Sequence, residues 1–190
     1  MADTEVAEIF TEEGADAREQ LRVALHESAV ALQAATLQGE YDRSEKALAR
    51  RIAALGFAEG AEQVFDLLPL VHVAWADGTI QANERVEIIR LLRIRGVPMG
   101  KAYETMLALL EKKPTEQYLE ASLDVLREVV KRGDGTQGKT IVGLCILVAK
   151  AAGGFLGLRN PISSEEKDAI ERIAERLGPN AMAEFQRRLG

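Results

Sequence analysis

Apolar residues recur at three- and four-residue steps along most of this chain, a spacing that puts them on one face of successive helices. Leu21, Leu25, Ala29 and Leu32 form one stripe, Leu48, Ile52 and Leu55 a second, and Val64, Leu67, Leu68, Val71 and Trp75 a third. Ile88, Leu91 and Leu92 make the next, with Arg85, Glu87, Arg90 and Arg93 mostly off that face. Pro98 opens a further helix at an early position, where its missing N–H is not needed, and Met106, Leu107 and Leu110 face inward from it. Leu119, Leu123, Leu126 and Val130 line a helix that ends at Gly133, and residues 141–152, 164–177 and 181–189 complete the set. No segment alternates with the period of two that a half-buried strand requires. The pattern therefore predicts an all-α fold, a compact bundle of about eight or nine helices.

Two segments share a plan. Val73-Ala74-Trp75-Ala76-Asp77-Gly78-Thr79-Ile80-Gln81-Ala82-Asn83-Glu84 joins an apolar helix to a second helix through an Asp-Gly turn, with a carboxylate seven residues after Asp77. Val148-Ala149-Lys150-Ala151-Ala152-Gly153, followed by Ile162-Ser163-Ser164-Glu165-Glu166, is a degraded echo of it. Each runs into a helix that stops at a glycine, Gly96 and Gly178. The pattern suggests an internal pseudo-two-fold duplication of a helix-turn-helix unit, with repeat cores at about 61–96 and 140–178 inside a single domain over residues 15–190.

Composition sharpens this picture. Apolar residues make up 47% of the 190 and aromatics only 5%, so the core is built from Leu, Ile, Val and Ala, as suits packed helices. The single cysteine, Cys145, excludes an internal disulfide and any multi-cysteine zinc site, and its apolar setting reads as a small buried hydrophobe. A reducing cytoplasm fits best. The acidic start has no secretory character. The most apolar stretch, residues 140–158, carries Lys150 at its middle, at a cost of roughly 2.5–3.5 kcal/mol in a bilayer, and is broken by Gly153-Gly154. It reads as a buried helix.

Charge is uneven. Residues 1–20 hold seven acids against Arg18, a net of −6, and of the 30 acids and 24 bases in all this leaves 23 of each in the rest. A neutral body with an acidic arm, residues 1–14, is unlike a nucleic-acid binder. The arm reads either as a loosely ordered solvated terminus or as a segment that docks on Arg43, Lys46, Arg50 and Arg51.

The turn at Asp77 matches the second half of an EF-hand loop, with Asp77 fifth, Gly78 sixth, Thr79 at the carbonyl position and Glu84 at the bidentate twelfth. Val73 and Trp75 fill the first and third positions and cannot ligate a cation, so this is no working EF-hand. Two carboxylates and a carbonyl can still hold a hard divalent ion if waters complete the shell. The same residues have a structural reading: Gly78 for positive φ, Asp77 for nearby N–H groups, Glu84 at a positive helix end. Ser163-Ser164-Glu165-Glu166 is likewise a capping box. His72, one turn before the motif, is within reach of such an ion but is also an ordinary hydrogen-bonded helix histidine, and two histidines support no catalytic triad.

Gly133-Asp134-Gly135-Thr136-Gln137-Gly138-Lys139-Thr140 satisfies the phosphate-loop pattern in full, with Lys139 and Thr140 as phosphate and magnesium contacts. That chemistry needs a strand before the loop, and what precedes it here has helical spacing. A linker between helices, or an anion at the following helix N-terminus, is the competing reading.

The Val-Ala-x-Ala-Asp-Gly-x-Ile-x-x-x-Glu signature resembles the TerB-like family of tellurite-resistance proteins, and the N-terminal module of DjlA-type co-chaperones. Ile170-Glu171-Arg172-Ile173-Ala174-Glu175-Arg176-Leu177-Gly178 resembles that family's second repeat. The likeness covers the motif regions of roughly residues 61–178. It implies a helical bundle with two pseudo-symmetric halves, and metal-linked acids at Asp77, Glu84 and Glu166. Ala152 stands where the second repeat has Asp, and the spacing to Glu166 is stretched to fourteen by a loop over 155–161 containing Phe155, Leu156 and Leu158. The resulting expectation is a cytoplasmic, stress-associated, non-enzymatic module. It acts through an unidentified protein partner or as a homo-oligomer, with a divalent metal ion as its one cofactor. It binds no nucleic acid and spans no membrane. The alternative is a scaffold without metal, which uses the acidic arm or the 155–161 loop.

Overall fold

Hydrogen-bonded caps mark where the helical stripes begin and end. The computed structural model describes residues 12–37, 45–57, 62–133, 135–152 and 162–190. The acidic arm up to residue 11 and the 155–161 loop lie outside the described residues. The helices are α1 (Glu12–Leu37), α2 (Glu45–Ala54), α3 (Glu62–Phe65), α4 (Leu68–Ala74), α5 (Ala82–Ile94), α6 (Lys101–Glu111), α7 (Glu116–Arg132), α8 (Thr136–Ala152), α9 (Ser164–Leu177) and α10 (Pro179–Leu189). The single turn α3 leads directly into α4, where Leu67 N–H reaches the Val64 carbonyl at 2.9 Å. With α3 and α4 counted together, the described residues form nine helices and contain no strand. The all-α reading holds.

Two boundaries differ from the sequence expectation. Pro98 does not open α6, which starts three residues later at Lys101 after Gly100. Proline suits a first turn, but nothing in the residue itself obliges the chain to begin one there. Helix α8 starts at Thr136, not near residue 141, because a glycine in a helix is tolerated when it lets another helix approach. A Cβ on Gly138 would lie 3.2 Å from the Ala181 Cβ of α10.

Helix α8 is the centre of the packing. It contacts α4, α5, α9 and α10, and buries Ile141, Val142, Cys145, Ile146, Val148 and Ala149. Lys150 is exposed at its end, and among the described residues no helix is long and apolar enough to cross a membrane. Helix α7 contacts α1, α2 and α9, so it joins the N-terminal helices to the rest. Helix α6 has its last carbonyls taken by side chains from other elements. Trp75 Nε1 donates to the Leu109 carbonyl at 2.9 Å and Arg85 Nη2 to the Leu110 carbonyl at 2.5 Å. Terminal carbonyls lack partners within their own helix, so these two bonds tie the Asp77 turn to α6.

Gly56 is the tightest point of this packing. It follows α2 with φ +89, and a Cβ there would lie 2.6 Å from Leu25 Cδ2 and 3.1 Å from Thr105 Cγ2. Gly78 has a similar φ of +95 but open space around it. Gly56→Ala is therefore expected to destabilise by about 2–4 kcal/mol in urea unfolding, and Gly78→Ala by only about 1–2 kcal/mol, the left-handed cost alone. Equal losses would show that packing at Gly56 contributes nothing.

Candidate functional site

The turn after α4 closes by short-range bonds, with Ala76 N–H on the Val73 carbonyl and Gly78 N–H on the Trp75 carbonyl, both at 3.0 Å. Asp77 is exposed on it, and its Oδ1 accepts from Thr79 N–H at 3.0 Å. That is the side-chain-to-backbone turn that aspartate favours. Four residues on, Gln81 caps α5 and Glu84 sits at the third helical position. Glu84 folds back so that one oxygen accepts from Gln81 N–H at 2.7 Å.

Helix α9 begins in the same way. Ser163 Oγ accepts from Glu166 N–H at 3.1 Å while Glu166 Oε2 accepts from Ser163 N–H at 2.6 Å. This is the capping box that the Ser-Ser-Glu-Glu sequence predicts.

Capping glutamates are ordinarily half in water, and these two are not. Glu84 is 2% exposed and Glu166 4%. Their carboxyls meet: Glu84 interacts side chain to side chain with Glu166, across the gap between the starts of α5 and α9. Burial, opposed by the Gln81 N–H and reinforced by Glu166 and then by the Asp77 charge, raises the Glu84 carboxyl to about 8. Glu166 Oε1 is buried with no hydrogen-bond donor. Two ionised carboxylates crowded together out of water repel strongly, so the pair needs a neutralising positive charge. A single shared proton or a cation supplies it.

The other residues singled out from sequence fall outside this pair. Asp77 contributes charge but does not join it, and among the described residues no three His, Cys, Asp or Glu side chains gather in metal-binding geometry. The second turn, after Ala152, lies outside the described residues up to 161. His72 turns toward α7, where its Nε2 donates to the Leu119 carbonyl at 3.0 Å. Burial lowers it to about 3, so it stays neutral and held by structure. Burial likewise pushes the Cys145 thiol up, which leaves it a packed hydrophobe without reactivity.

The phosphate-loop pattern has a different local structure from the one its chemistry requires. Helix α7 precedes it in place of a strand, and Gly138, Lys139 and Thr140 lie inside α8. Thr140 Oγ1 donates back to the Thr136 carbonyl at 3.4 Å.

What the sequence did not disclose is that Glu84 and Glu166 meet. The one available signal was that both occupy the third position of a capped helix start, the same place in each segment. Comparison with protein-family models, with curated proteins and with solved structures finds no match.

Proposed function

We propose that this chain is a TerB-like, non-enzymatic module of the stress-associated kind, working in the cytoplasm through contact with a partner protein. In this reading the Glu84–Glu166 pair takes up a hard divalent cation in exchange for its shared proton. The supporting observations are the buried, donorless Oε1 of Glu166 and the interaction of the Glu166 side chain with the buried Glu84 carboxyl. Carboxylate oxygens are the ligands that magnesium, calcium and manganese prefer, and magnesium in particular is held by one or two carboxylates with waters. Glu84 and Glu166 would hold the ion directly, and exposed Asp77 would act on it through water. The ion would supply fixed charge linking α5 to α9. Neutral His72 and buried Cys145 offer neither a base nor a nucleophile at the pair, which favours a binding role over catalysis.

The test is thermal unfolding at about pH 8, in chelator and then across magnesium, calcium, manganese and zinc. Ion at about a hundred times its Kd adds roughly 2.7 kcal/mol, a rise of about 5–10 °C for a domain of this size. Glu166→Gln is expected to abolish the rise, and Asp77→Ala to weaken it only partly. Trp75, the sole tryptophan and two residues from Asp77, gives an independent fluorescence readout.

A second reading rests on a specific observation: both glutamates already serve as helix caps at 2.7 and 2.6 Å. The pair is then a proton-sharing joint in a metal-free scaffold. Identical melting curves with every ion would select this reading and sink the first.

A further inference from the structure

Helix α1 crosses α6 and α7 and leaves a cleft of about 220 Å³ between them. Its walls are apolar, formed by Val23, Leu25, Leu109, Pro114 and Tyr118. That volume exceeds the ~150 Å³ of a cavity that takes benzene, so it holds a ring or a short alkyl chain.

The polar groups at the cleft are mostly cationic. Arg22 and Lys112 both reach Glu19, and Arg18 pairs with Glu111 at 2.8 Å. Lys113, also on the cleft wall, forms no ion pair among the described residues. Counting the lining residues Arg22, Lys112 and Lys113 against Glu19 gives +2 here, on a chain whose formal charge is −6.

A short run of hydrogen bonds ties His26 to the start of α7. Tyr118 N–H donates to Thr115 Oγ1 at 3.3 Å, and Thr115 Oγ1 lies 2.9 Å from His26 Nδ1. The threonine hydroxyl therefore holds the His26 ring at Nδ1 while it caps the start of α7. His26 lines the cleft together with Lys113.

We propose that this cleft is a binding site for a small amphipathic carboxylate. The aliphatic or aromatic body of the ligand lies on Val23, Leu109 and Tyr118, and its carboxylate is held by Lys113 and His26. Charge complementarity selects an acid over an amine, and the apolar walls select a tail of about six to ten carbons.

The experiment is isothermal titration calorimetry of the full chain with octanoate, octanol and octylamine. For about ten heavy atoms the expected octanoate Kd is on the order of 0.1–1 mM. Octanol should bind at least about tenfold more weakly, since it lacks the charge-assisted bonds, and octylamine should give no saturable heat. Lys113→Met is expected to weaken octanoate about fivefold or more. Val23→Trp, which fills the mouth from a half-exposed position, is expected to abolish binding. Both variants change exposed side chains, and their circular-dichroism melts confirm the fold. The proposal is overturned by any of three results: no saturable octanoate binding at millimolar concentration, octylamine binding as well as octanoate, or unchanged octanoate affinity in Val23→Trp.

Discussion

In chelator, Glu84→Gln is expected to unfold at a higher urea concentration than the parent protein at about pH 8, and at nearly the same concentration at about pH 4. The sign follows from proton linkage. The Glu84 carboxyl is raised from 4.5 to about 8 on folding, so between those values the folded state binds more protons than the unfolded one. Stability that is present below pH 4.5 is then lost progressively as pH rises through about 8. Glutamine reproduces the protonated state at every pH: its oxygen still accepts from Gln81 N–H and its amide can donate to the orphaned Glu166 oxygen. At about 1.4 kcal/mol per pKa unit, the gain at alkaline pH is on the order of 2–4 kcal/mol, and the same substitution removes any response to divalent ions.

His72 shapes the opposite limb. Its folded value of about 3 lies below the ordinary 6.5, so protonation of the unfolded chain costs stability as pH falls through that window. The parent protein should therefore be most stable in mildly acidic chelated buffer, whereas the stability of Glu84→Gln should rise up to about pH 6.5 and then level off where the parent's falls. A parent whose stability does not change between about pH 5 and 9 would mean that the two carboxyls are not coupled.

Tyr118→Ala is expected to produce the largest loss among single substitutions at the α2–α7 contact, about 3–5 kcal/mol by urea unfolding, as for other buried aromatic truncations. Tyr118 is 2% exposed, and its hydroxyl donates to the Leu55 carbonyl at 2.9 Å just beyond the end of α2. Tyr118→Phe keeps the ring and removes only that bond, leaving a buried carbonyl without its donor, so a loss of about 1–2 kcal/mol is expected. The gap between the two variants measures ring packing separately from the hydrogen bond. A loss from Tyr118→Phe as large as that from Tyr118→Ala would contradict the division.

The secondary structure was legible from periodicity because burying one face of a helix imposes its own spacing within a few residues. The stripe Leu119, Leu123, Leu126 and Val130 is buried in α7 as its spacing predicts. The Ser163–Glu166 capping box and the positive φ of Gly78, Gly96 and Gly178 were equally readable, since each involves groups only a few residues apart. Local signals failed where two local rules competed. Pro98 is as compatible with a loop as with a first turn, and Gly138 could be placed inside α8 only once Ala181 was known to pack on it.

The candidate sites belong to the tertiary level. Sequence alone placed Glu84 and Glu166 each at a helix start, where a carboxylate is stabilised by free backbone N–H groups. It could not show that α5 and α9 dock on α8 so that the two carboxyls meet in one buried space. The cleft between α1 and the α6–α7 connection is likewise a product of how helices cross. Hydrogen bonds within a turn are set by chain geometry over three or four residues. The charge state of a carboxyl pair is set by distance and solvent exclusion, and those arise only when helices far apart in the chain pack together.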